Sequence, residues 1–353
     1  MKKLMQTGVS RRAVLASQLG LMTSVLIPGS VLAADDAKRT DVNFLGAHFG
    51  SYGYVMMYAS SEMMTKYTKN IKGVVQETFG AVDNLKRLQR DKGLRTHTIA
   101  ITSIPALYSA KMGQPKAMFP EPVKDMLNVF NTGNAVLWIA TSDPSIKTPA
   151  DLKGKRFDAG PYGNFMGFIG DKILQAYGVK DKVSSLLHTA DQKAQYQNLV
   201  DGKVDAILTG SVAQGHEIVK YNSGVSQMLA SRTLWPVTLE KSKVDEVHKL
   251  SGIPVVAYSV KAGLPNPKAP AYVGASFGLQ TVASKEMPES LVYEVVKTTI
   301  AHIKEYGNYA SPAKNGFTVE TIAGLNVPVS DFHPGAVKAF REAGIKVGEE
   351  NFK

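Results

Sequence analysis

The most informative absence in this chain of 353 residues is cysteine, which does not occur at all. Without thiols there is no disulfide, thiolate zinc site, iron–sulfur cluster, cysteine nucleophile or lipidated cysteine. Long apolar runs are scarce as well. A composition of 44% hydrophobic and 20% charged residues is the balance of a folded globular protein. The length accommodates about two domains of ordinary size.

Metal, nucleotide and nucleic-acid motifs are also missing from the sequence. None of the seven histidines falls in an H-x-H, H-x-x-x-H or H-E-x-x-H pattern, so neither a metal site nor a cofactor is predicted. No G-x-G-x-x-G or phosphate loop follows a predicted strand. Acids interrupt the lysines and arginines throughout, and no basic run is rich in aromatics, so no nucleic-acid partner is predicted.

Residues 1–33 have the pattern of a cleaved export signal. Basic residues come first, the apolar stretch Ala13–Ile27 follows, and Val31-Leu32-Ala33 supplies the small residues for cleavage after Ala33. Arg11-Arg12 resembles a twin-arginine signal. An uncleaved membrane anchor is the alternative, although the apolar stretch is short for a bilayer span. We expect a periplasmic protein, and removal of the four basic leader residues lowers its formal net charge from +11 to +7.

From residue 41 onward, short apolar strands alternate with helical patterns. Strands are predicted at 42–49, 73–78, 98–102, 135–141, 156–159, 185–189 and 204–209. Helices are predicted at 54–69, 82–91, 165–177, 191–201, 214–221, 288–305 and 334–343. This alternation predicts an α/β fold in which helices cover parallel sheets.

Two proline-containing stretches mark crossings between lobes. The strand at 135–141 runs into Asp143-Pro144, and three prolines in 263–270 precede the apolar segment 273–282. Lobe one is therefore predicted to consist of residues 41–141 plus 273–353, with residues 142–272 as an inserted lobe two. A cleft between two α/β lobes is a common place for a ligand.

One enzyme motif occurs as a string of letters. Gly274-Ala275-Ser276-Phe277-Gly278 matches G-x-S-x-G, and Asp331 and His333 follow in the order that a serine hydrolase requires. The residues after Ser276 have the pattern of a strand, whereas a nucleophile elbow needs a helix there. An exported hydrolase using Ser276 stays an alternative to the main interpretation, a glycine-bearing crossing strand.

Four predicted strand-to-helix turns carry glycine with small polar or aromatic residues: Gly50–Tyr54, Phe79–Asn84, Gly160–Phe165 and Thr209–Ser211. Backbone N–H groups are free at such helix starts, and the helix dipole presents partial positive charge there. Glycine lets the backbone approach a ligand closely. The turns are therefore candidates for binding a carboxylate, with ordinary helix capping as the alternative.

Further stretches resemble a known family. They are Phe79–Leu85, the D-L-K-G-K-R string Asp151–Arg156, the segment Asp201–Ala206, and His333–Lys338 followed by Arg341–Gly344. Over residues 44–346 the chain resembles the solute-binding subunits of tripartite ATP-independent periplasmic (TRAP) transporters, in the TAXI class. The resemblance implies a two-lobed periplasmic binding protein of the type II-like fold, which performs no catalysis.

The same resemblance implies an organic-anion ligand, a TRAP-type integral membrane permease as partner, and a monomer. Ala81 stands where the family usually has serine, and Pro161–Phe165 replaces a G-S-G-T-like turn, so we expect a bulkier or flatter ligand than an amino acid. A periplasmic sensor with the same fold is an alternative. His333 is expected to cap the last helix. The candidate ligand-binding residues are His48, Ser51, Tyr52, Gly80, Asn84, Tyr162, Asn164, Phe165, Thr209 and Trp235.

Overall fold

The computed structural model describes most of the chain after the predicted leader. The described residues are 39–161, 165–214, 217–221, 223–324 and 326–351. The leader at 1–33 lies outside them, as do the candidate ligand residues Tyr162 and Asn164. Within these ranges, no helix combines the length and apolar character that a bilayer span requires.

The first part of the chain forms strand–helix units and ends in a long strand. Its elements are β1 (Thr40–Leu45), α1 (Tyr52–Tyr67), β2 (Ile71–Gln76), α2 (Ala81–Arg90), β3 (Thr98–Ser103), α3 (Ile104–Met112) and β4 (Met126–Thr141). Ser51 and Ser103 cap α1 and α3 through their hydroxyl oxygens, which accept from the N–H groups of Tyr54 and Ala106. Short side-chain acceptors at these positions satisfy N–H groups that the helix itself leaves free.

The middle and final parts add the remaining elements. The middle part contains β5 (Arg156–Asp158), α4 (Phe165–Ala176), β6 (Ser185–Leu187), α5 (Gln192–Val200), β7 (Ala206–Gln214), β8 (Glu217–Tyr221), α6 (Ser223–Ser231), β9 (Trp235–Val237), α7 (Lys241–Ser251) and β10 (Val256–Val260). The final part contains β11 (Tyr272–Ser284), α8 (Glu289–Ala301), α9 (Ala313–Gly316) and α10 (Pro334–Glu342). Short 3-10 helices lie at Lys92–Leu94, Pro149–Leu152, Lys180–Lys182, Ile303–Asn308, Val329–Asp331 and Gly348–Asn351.

The strands join in one sheet with two equivalent halves. Its main path is β2-β1-β3-β11-β4-β7-β5-β6. β1, β2 and β3 are parallel in the order 2-1-3, and β5, β6 and β7 are parallel in the matching order 6-5-7. The long strands β4 and β11 are antiparallel to each other and lie between the two halves. This confirms the predicted fold class, an α/β fold with two lobes.

The long strands change partners partway along their length. Residues 134–141 of β4 pair with β7, whereas residues 279–283 of β11 pair with β3. The ladder between β4 and β11 changes register twice. Leu279 faces Gly133 and Gln280 faces Asn131, which leaves Thr132 as an extra residue, and a second extra residue of β4 lies between Asn131 and Asn128, which faces Val282. We name the region around Thr132, Gly133 and Gly278 the junction. The predicted lobe boundaries near residues 141 and 273 stay predictions.

Most predicted elements occur within a few residues of their expected bounds, but the strand predicted at 135–141 begins nine residues earlier, at Met126, and the helix predicted at 214–221 is wrong. Gln214 is the last residue of β7, and residues 217–221 form β8, which pairs antiparallel with β7. Its run Glu217-Ile218-Val219-Lys220-Tyr221 contains β-branched and aromatic residues, which favour a strand beside an existing edge. For this short segment, pairing with β7 thus favours a strand over the helix that the local sequence also allows.

Side chains alternate between two packing layers along β4. Leu137 and Ile139 pack into a core that continues through both halves, whereas Val136 and Trp138 pack into a separate core beneath α5 and α6. This alternation follows from the two-residue repeat of a strand. The buried indole N–H of Trp138 donates to the Ser211 hydroxyl at 3.0 Å, so the largest side chain of that core leaves no polar atom unsatisfied.

Gly274 permits the close contact between β11 and β4. A Cβ atom at this position would lie 2.6 Å from the Leu137 carbonyl oxygen and 2.4 Å from Cγ2 of Val136. A backbone atom cannot move aside as a flexible side chain can, so the position requires glycine. The first glycine of the G-x-S-x-G string therefore has a packing role.

We predict that Gly274→Ala lowers the free energy of unfolding by about 2–3 kcal/mol, because the strands must separate to admit the methyl group. Gly210→Ala is the matched control in the same sheet, since its Cβ would lie 3.4 Å from the nearest atom, on the Leu137 side chain. The control should change stability by less than about 1 kcal/mol. Urea unfolding of both variants checks this, and equal effects would contradict it.

Candidate ligand-binding site

The junction brings together strand ends from both halves of the sheet. The Tyr52 hydroxyl donates to the carbonyl oxygen of Thr132 at 2.5 Å, which holds the start of α1 beside β4. Asn134, two residues further along β4, pairs with Ala213 near the end of β7. The start of α1 in one half and the end of β7 in the other therefore lie close to the same stretch of β4, and strand ends of this kind bind ligands in open α/β sheets.

A cavity of about 220 Å³ lies at the junction. Its walls include Ile104 from the start of α3 and Val256 from β10, and Asn134, Ser276 and Phe277 from the two long strands. The ring of Phe165, the first residue of α4, lies edge-on to Phe277 with centroids 5.8 Å apart. The structure thus places Phe165 at the junction, and its role as a ligand contact stays a prediction.

The β1–α1 turn brings three of the candidate residues to the same place. His48 is exposed, Ser51 caps α1, and Tyr52 is half-buried with its hydroxyl on Thr132. Burial of the Tyr52 hydroxyl raises its pKa far above the usual value, so this phenol stays protonated and donating. The N–H groups of Tyr52 and Gly53 donate to no acceptor in the described residues.

The β2–α2 turn lies next to the first one. Gly80 is the N-cap of α2 at φ +100°, a conformation that favours glycine, and it supplies no side-chain cap. Asp83 in the first turn of α2 accepts from the N–H of Phe79 and pairs with Arg87 at 2.7 Å. Because α2 already holds a carboxylate at its start, α1 offers the stronger field for an added anion.

Asn84 has a structural contact that its sequence position did not reveal. Its buried side-chain amide donates to the carbonyl oxygens of Gly46 and Ile101, both at 2.8 Å, and so ties α2 to the ends of β1 and β3. In the other half, the buried amide of Gln195 donates to the carbonyl oxygens of Asp158 and Leu208 at 3.0 Å. Each amide lies four residues after the N-cap of its helix.

The remaining candidate residues lie elsewhere. Thr209 is buried within β7, opposite Trp138, and its hydroxyl lies 3.3 Å from that of Tyr196. Trp235 on β9 pairs with Thr141, seven residues from Asn134, or about 23 Å along a strand. The structure therefore groups His48, Ser51, Tyr52 and Gly80 on adjacent turns and Phe165 at the junction, and it does not bring Trp235 to them.

The hydrolase string does not assemble a catalytic triad. Ser276 lies inside β11, and its hydroxyl donates to the Ala135 carbonyl oxygen at 3.0 Å. His333 caps α10 by accepting from the Gly335 N–H, and its other ring nitrogen lies 3.1 Å from the Met287 carbonyl oxygen. Asp331 instead pairs with Lys111 at 2.7 Å. The prediction that His333 caps the last helix is confirmed.

Metal ligands do not cluster in the described ranges, which contain no group of three His, Asp or Glu residues placed to hold an ion. Sequence reasoning missed three residues: Phe49, which precedes the first turn, Phe79, which begins the second, and Gln195 in α5. Gln195 occupies the same position in α5 as Asn84 does in α2, and this match was the available signal. The match can be recognised only when the correspondence between α2 and α5 is known.

A charged cluster supports the turn after β5. One ring nitrogen of His188 lies 3.3 Å from the carbonyl oxygen of Gly160 and the other lies 3.1 Å from Asp171, which also pairs with Lys180 at 2.9 Å. Both ring nitrogens face acceptors, so the doubly protonated imidazolium satisfies both. The hydrogen bond to Asp171 is the largest cause that raises the pKa of His188, and Asp158 contributes to the same effect.

We predict that His188 stabilises the protein more at acidic pH. Because its pKa is raised on folding, its contribution is complete below the unfolded value of about 6.5 and is lost as pH rises through the folded value. His188→Gln should therefore destabilise by about 1 kcal/mol more at pH 5.5 than at pH 8.5. Urea unfolding at both values checks this. His97→Gln is the control, and a pH-independent loss in His188→Gln would contradict the prediction.

We predict that Asn84→Ala lowers the free energy of unfolding by about 2 kcal/mol, because two buried carbonyl oxygens lose their donor. Asn84→Asp keeps the shape but removes the N–H groups, so it should destabilise at least as strongly at neutral pH. Thermal unfolding checks both variants. A fully stable Asn84→Ala protein would show that the two hydrogen bonds do not hold the strand ends.

The chain is similar both to solved structures and to a known protein family. Among solved structures, the chain is similar to MatC of Rhodopseudomonas palustris with bound malate, at 13% identity and a TM-score of 0.47, covering 86% of this chain and 96% of that one. A second R. palustris protein, with adipate, gives 14% identity and a TM-score of 0.49 over 88% and 95%. The periplasmic aliphatic sulphonate binding protein SsuA of Escherichia coli gives 15% and 0.47 over 88% and 91%.

Similarity at this level does not extend the ligands of those proteins to this chain. The family comparison reaches further, because it matches residues 46–344, which is most of the sequence and includes both halves of the sheet. On that match, the chain belongs to the NMT1-like family.

Proposed function

We propose that the protein is an extracytoplasmic solute receptor that binds a small organic carboxylate between the two halves of its sheet. The observation that carries this proposal is the junction, where the start of α1 contacts β4 two residues before Asn134 pairs with the end of β7 in the other half. Membership of the NMT1-like family and the export pattern of residues 1–33 agree with it. The receptor carries no chemistry of its own in this proposal.

The carboxylate is proposed to lie at the first turn of α1. The N–H groups of Tyr52 and Gly53 are available there, and no acidic residue occupies this turn. A helix start without its own carboxylate attracts an anion through these N–H groups and the helix dipole. The formal net charge of +11, or +7 without the leader, favours the approach of an anion.

Residues of the second half complete the site in this proposal. Phe165 already packs on Phe277 at the junction, and Tyr162 and Asn164 precede it in the chain. A ligand that contacts both halves only when they approach favours the closed arrangement by those added contacts. Micromolar affinity corresponds to about −8 kcal/mol, which several charge-assisted hydrogen bonds and aromatic burial can supply after the cost of association.

Delivery to a TRAP-type membrane permease, and membership of the TAXI class, are the finer parts of the proposal. The segments Phe79–Leu85 and His333–Gly344 support them through their resemblance to that class. Lobe one would consist of the half built on β1–β3, lobe two of the half built on β5–β7, and β4 and β11 would be the connections across which the lobes close.

We predict that at least one acid in a panel of monocarboxylates, dicarboxylates, keto acids and amino acids raises the melting temperature by several degrees. At a concentration of 100 times Kd, binding adds about 2.7 kcal/mol to stability. Tyr162→Ala should remove this shift without lowering the melting temperature of the free protein. Tyr309→Ala, an exposed tyrosine that packs on Tyr58, should keep it. A flat response of the wild type to the whole panel would contradict the proposal.

A further inference from the structure

Two phenylalanines are exposed to an unusual degree in the described residues. Phe49 is 76% exposed and Phe79 is 78% exposed, whereas the next large hydrophobic side chains reach only 38%. A scattered exposed apolar residue needs no explanation, but two that belong to neighbouring turns form a patch. Contiguous exposed apolar patches mark contact sites for ligands or proteins when they are large enough.

The two phenylalanines are parts of one preformed surface. Leu45 and Gln76, the last residues of β1 and β2, face each other in the sheet, and the Phe49 N–H donates to the Glu77 carboxylate at 2.8 Å. The His48 ring lies edge-on to Phe79 at 5.8 Å, and the Tyr54 ring lies 5.2 Å from Phe49. We name these four residues, His48, Phe49, Tyr54 and Phe79, the aromatic rim.

The aromatic rim flanks the proposed carboxylate position. Phe49 precedes the cap residue Ser51 by two positions, and Tyr54 belongs to the first turn of α1. A ligand whose carboxylate binds the N–H groups of Tyr52 and Gly53 therefore has aromatic faces next to it. When a ligand covers these rings, apolar surface of both the ligand and the protein is removed from water, which favours binding.

The carboxylates beside the aromatic rim restrict the charge that the ligand can carry at the end opposite its own carboxylate. The Glu77 carboxylate bonds to the Phe49 backbone, and the Asp83 carboxylate lies 3.3 Å from the Phe79 N–H, where Arg87 balances it. A second carboxylate lying against Phe49 would be close to the Glu77 carboxylate that bonds to the Phe49 N–H, and the two like charges would repel each other. An uncharged, apolar second end avoids that repulsion and gains contact with the rings.

Resting on the function proposed above, we infer that the ligand is a monocarboxylate with an apolar body of about the size of one ring, and that Phe49 and Phe79 determine this specificity. The rings cover the body of the ligand while the start of α1 holds its carboxylate. Because both side chains are exposed in the free protein, replacing them leaves the fold intact.

The test measures binding by calorimetry on the mature protein with four probes. Phenylacetate and hexanoate carry an apolar body, acetate lacks one, and succinate carries a second charge. We expect phenylacetate or hexanoate to bind about tenfold or more tightly than acetate and succinate, a difference of about 1.4 kcal/mol. Phe49→Ala and Phe79→Ala should each weaken the better of the two about fivefold or more, and Phe79→Leu should restore part of the affinity.

Controls separate this inference from the proposed function. Tyr309→Ala removes an exposed aromatic outside the aromatic rim and should leave all four affinities unchanged. The inference would be overturned if succinate or acetate bound as tightly as the apolar acids. It would also be overturned if the apolar acids bound to the rim variants as tightly as to the wild type; in both cases the receptor function stands. If the rim variants kept full affinity for the acids but cells carrying them no longer took up the acids, the aromatic rim would be a contact surface for a protein partner. That result would also overturn the inference. No binding of any acid, here or in the wider panel, would overturn the receptor function itself.

Discussion

The pairing of β4 with β11 is the constraint on which the rest of the structure depends. These two strands are shared by both halves of the sheet, so every other strand is positioned through them. Their close contact at Gly274 leaves no room for a side chain. Cavity walls, helix starts and the anchoring of Tyr52 on Thr132 all follow from where these strands exchange partners.

The two halves solve the same local problem with the same chemistry. A parallel strand end exposes carbonyl oxygens that the ladder no longer satisfies, and a buried carbonyl without a donor is unfavourable. Asn84 in α2 and Gln195 in α5 each supply two N–H groups to two neighbouring strands. The side chain differs by one methylene, yet the position after the N-cap is the same. In each half the amide thus ties a helix to the ends or middle of two paired strands.

Much of the fold was predictable because it is local. Apolar periodicity and glycine-containing turns identified most strands and helices within a few residues, and the alternation of the two types identified an α/β protein. Contacts between distant segments were not predictable in this way. Asn84 has the sequence context of a ligand residue, but its donors go to Gly46 and Ile101. Residues 217–221 became a strand because β7 offered an edge. Ser276 matched an enzyme motif whose partners Asp331 and His333 have other contacts.

Thr132, one of two extra residues of β4 opposite β11, affects which way the following side chains point. Because Thr132 is an extra residue opposite β11, its carbonyl oxygen lies outside the regular ladder. This oxygen accepts a hydrogen bond from the Tyr52 hydroxyl. In a strand, a shift by one residue exchanges the two faces for everything that follows. Thr132 therefore determines which face of the sheet each of residues 134–141 points to. If Thr132 were deleted, Trp138 would point into the layer that Leu137 now occupies. Both layers of the second half depend on that parity.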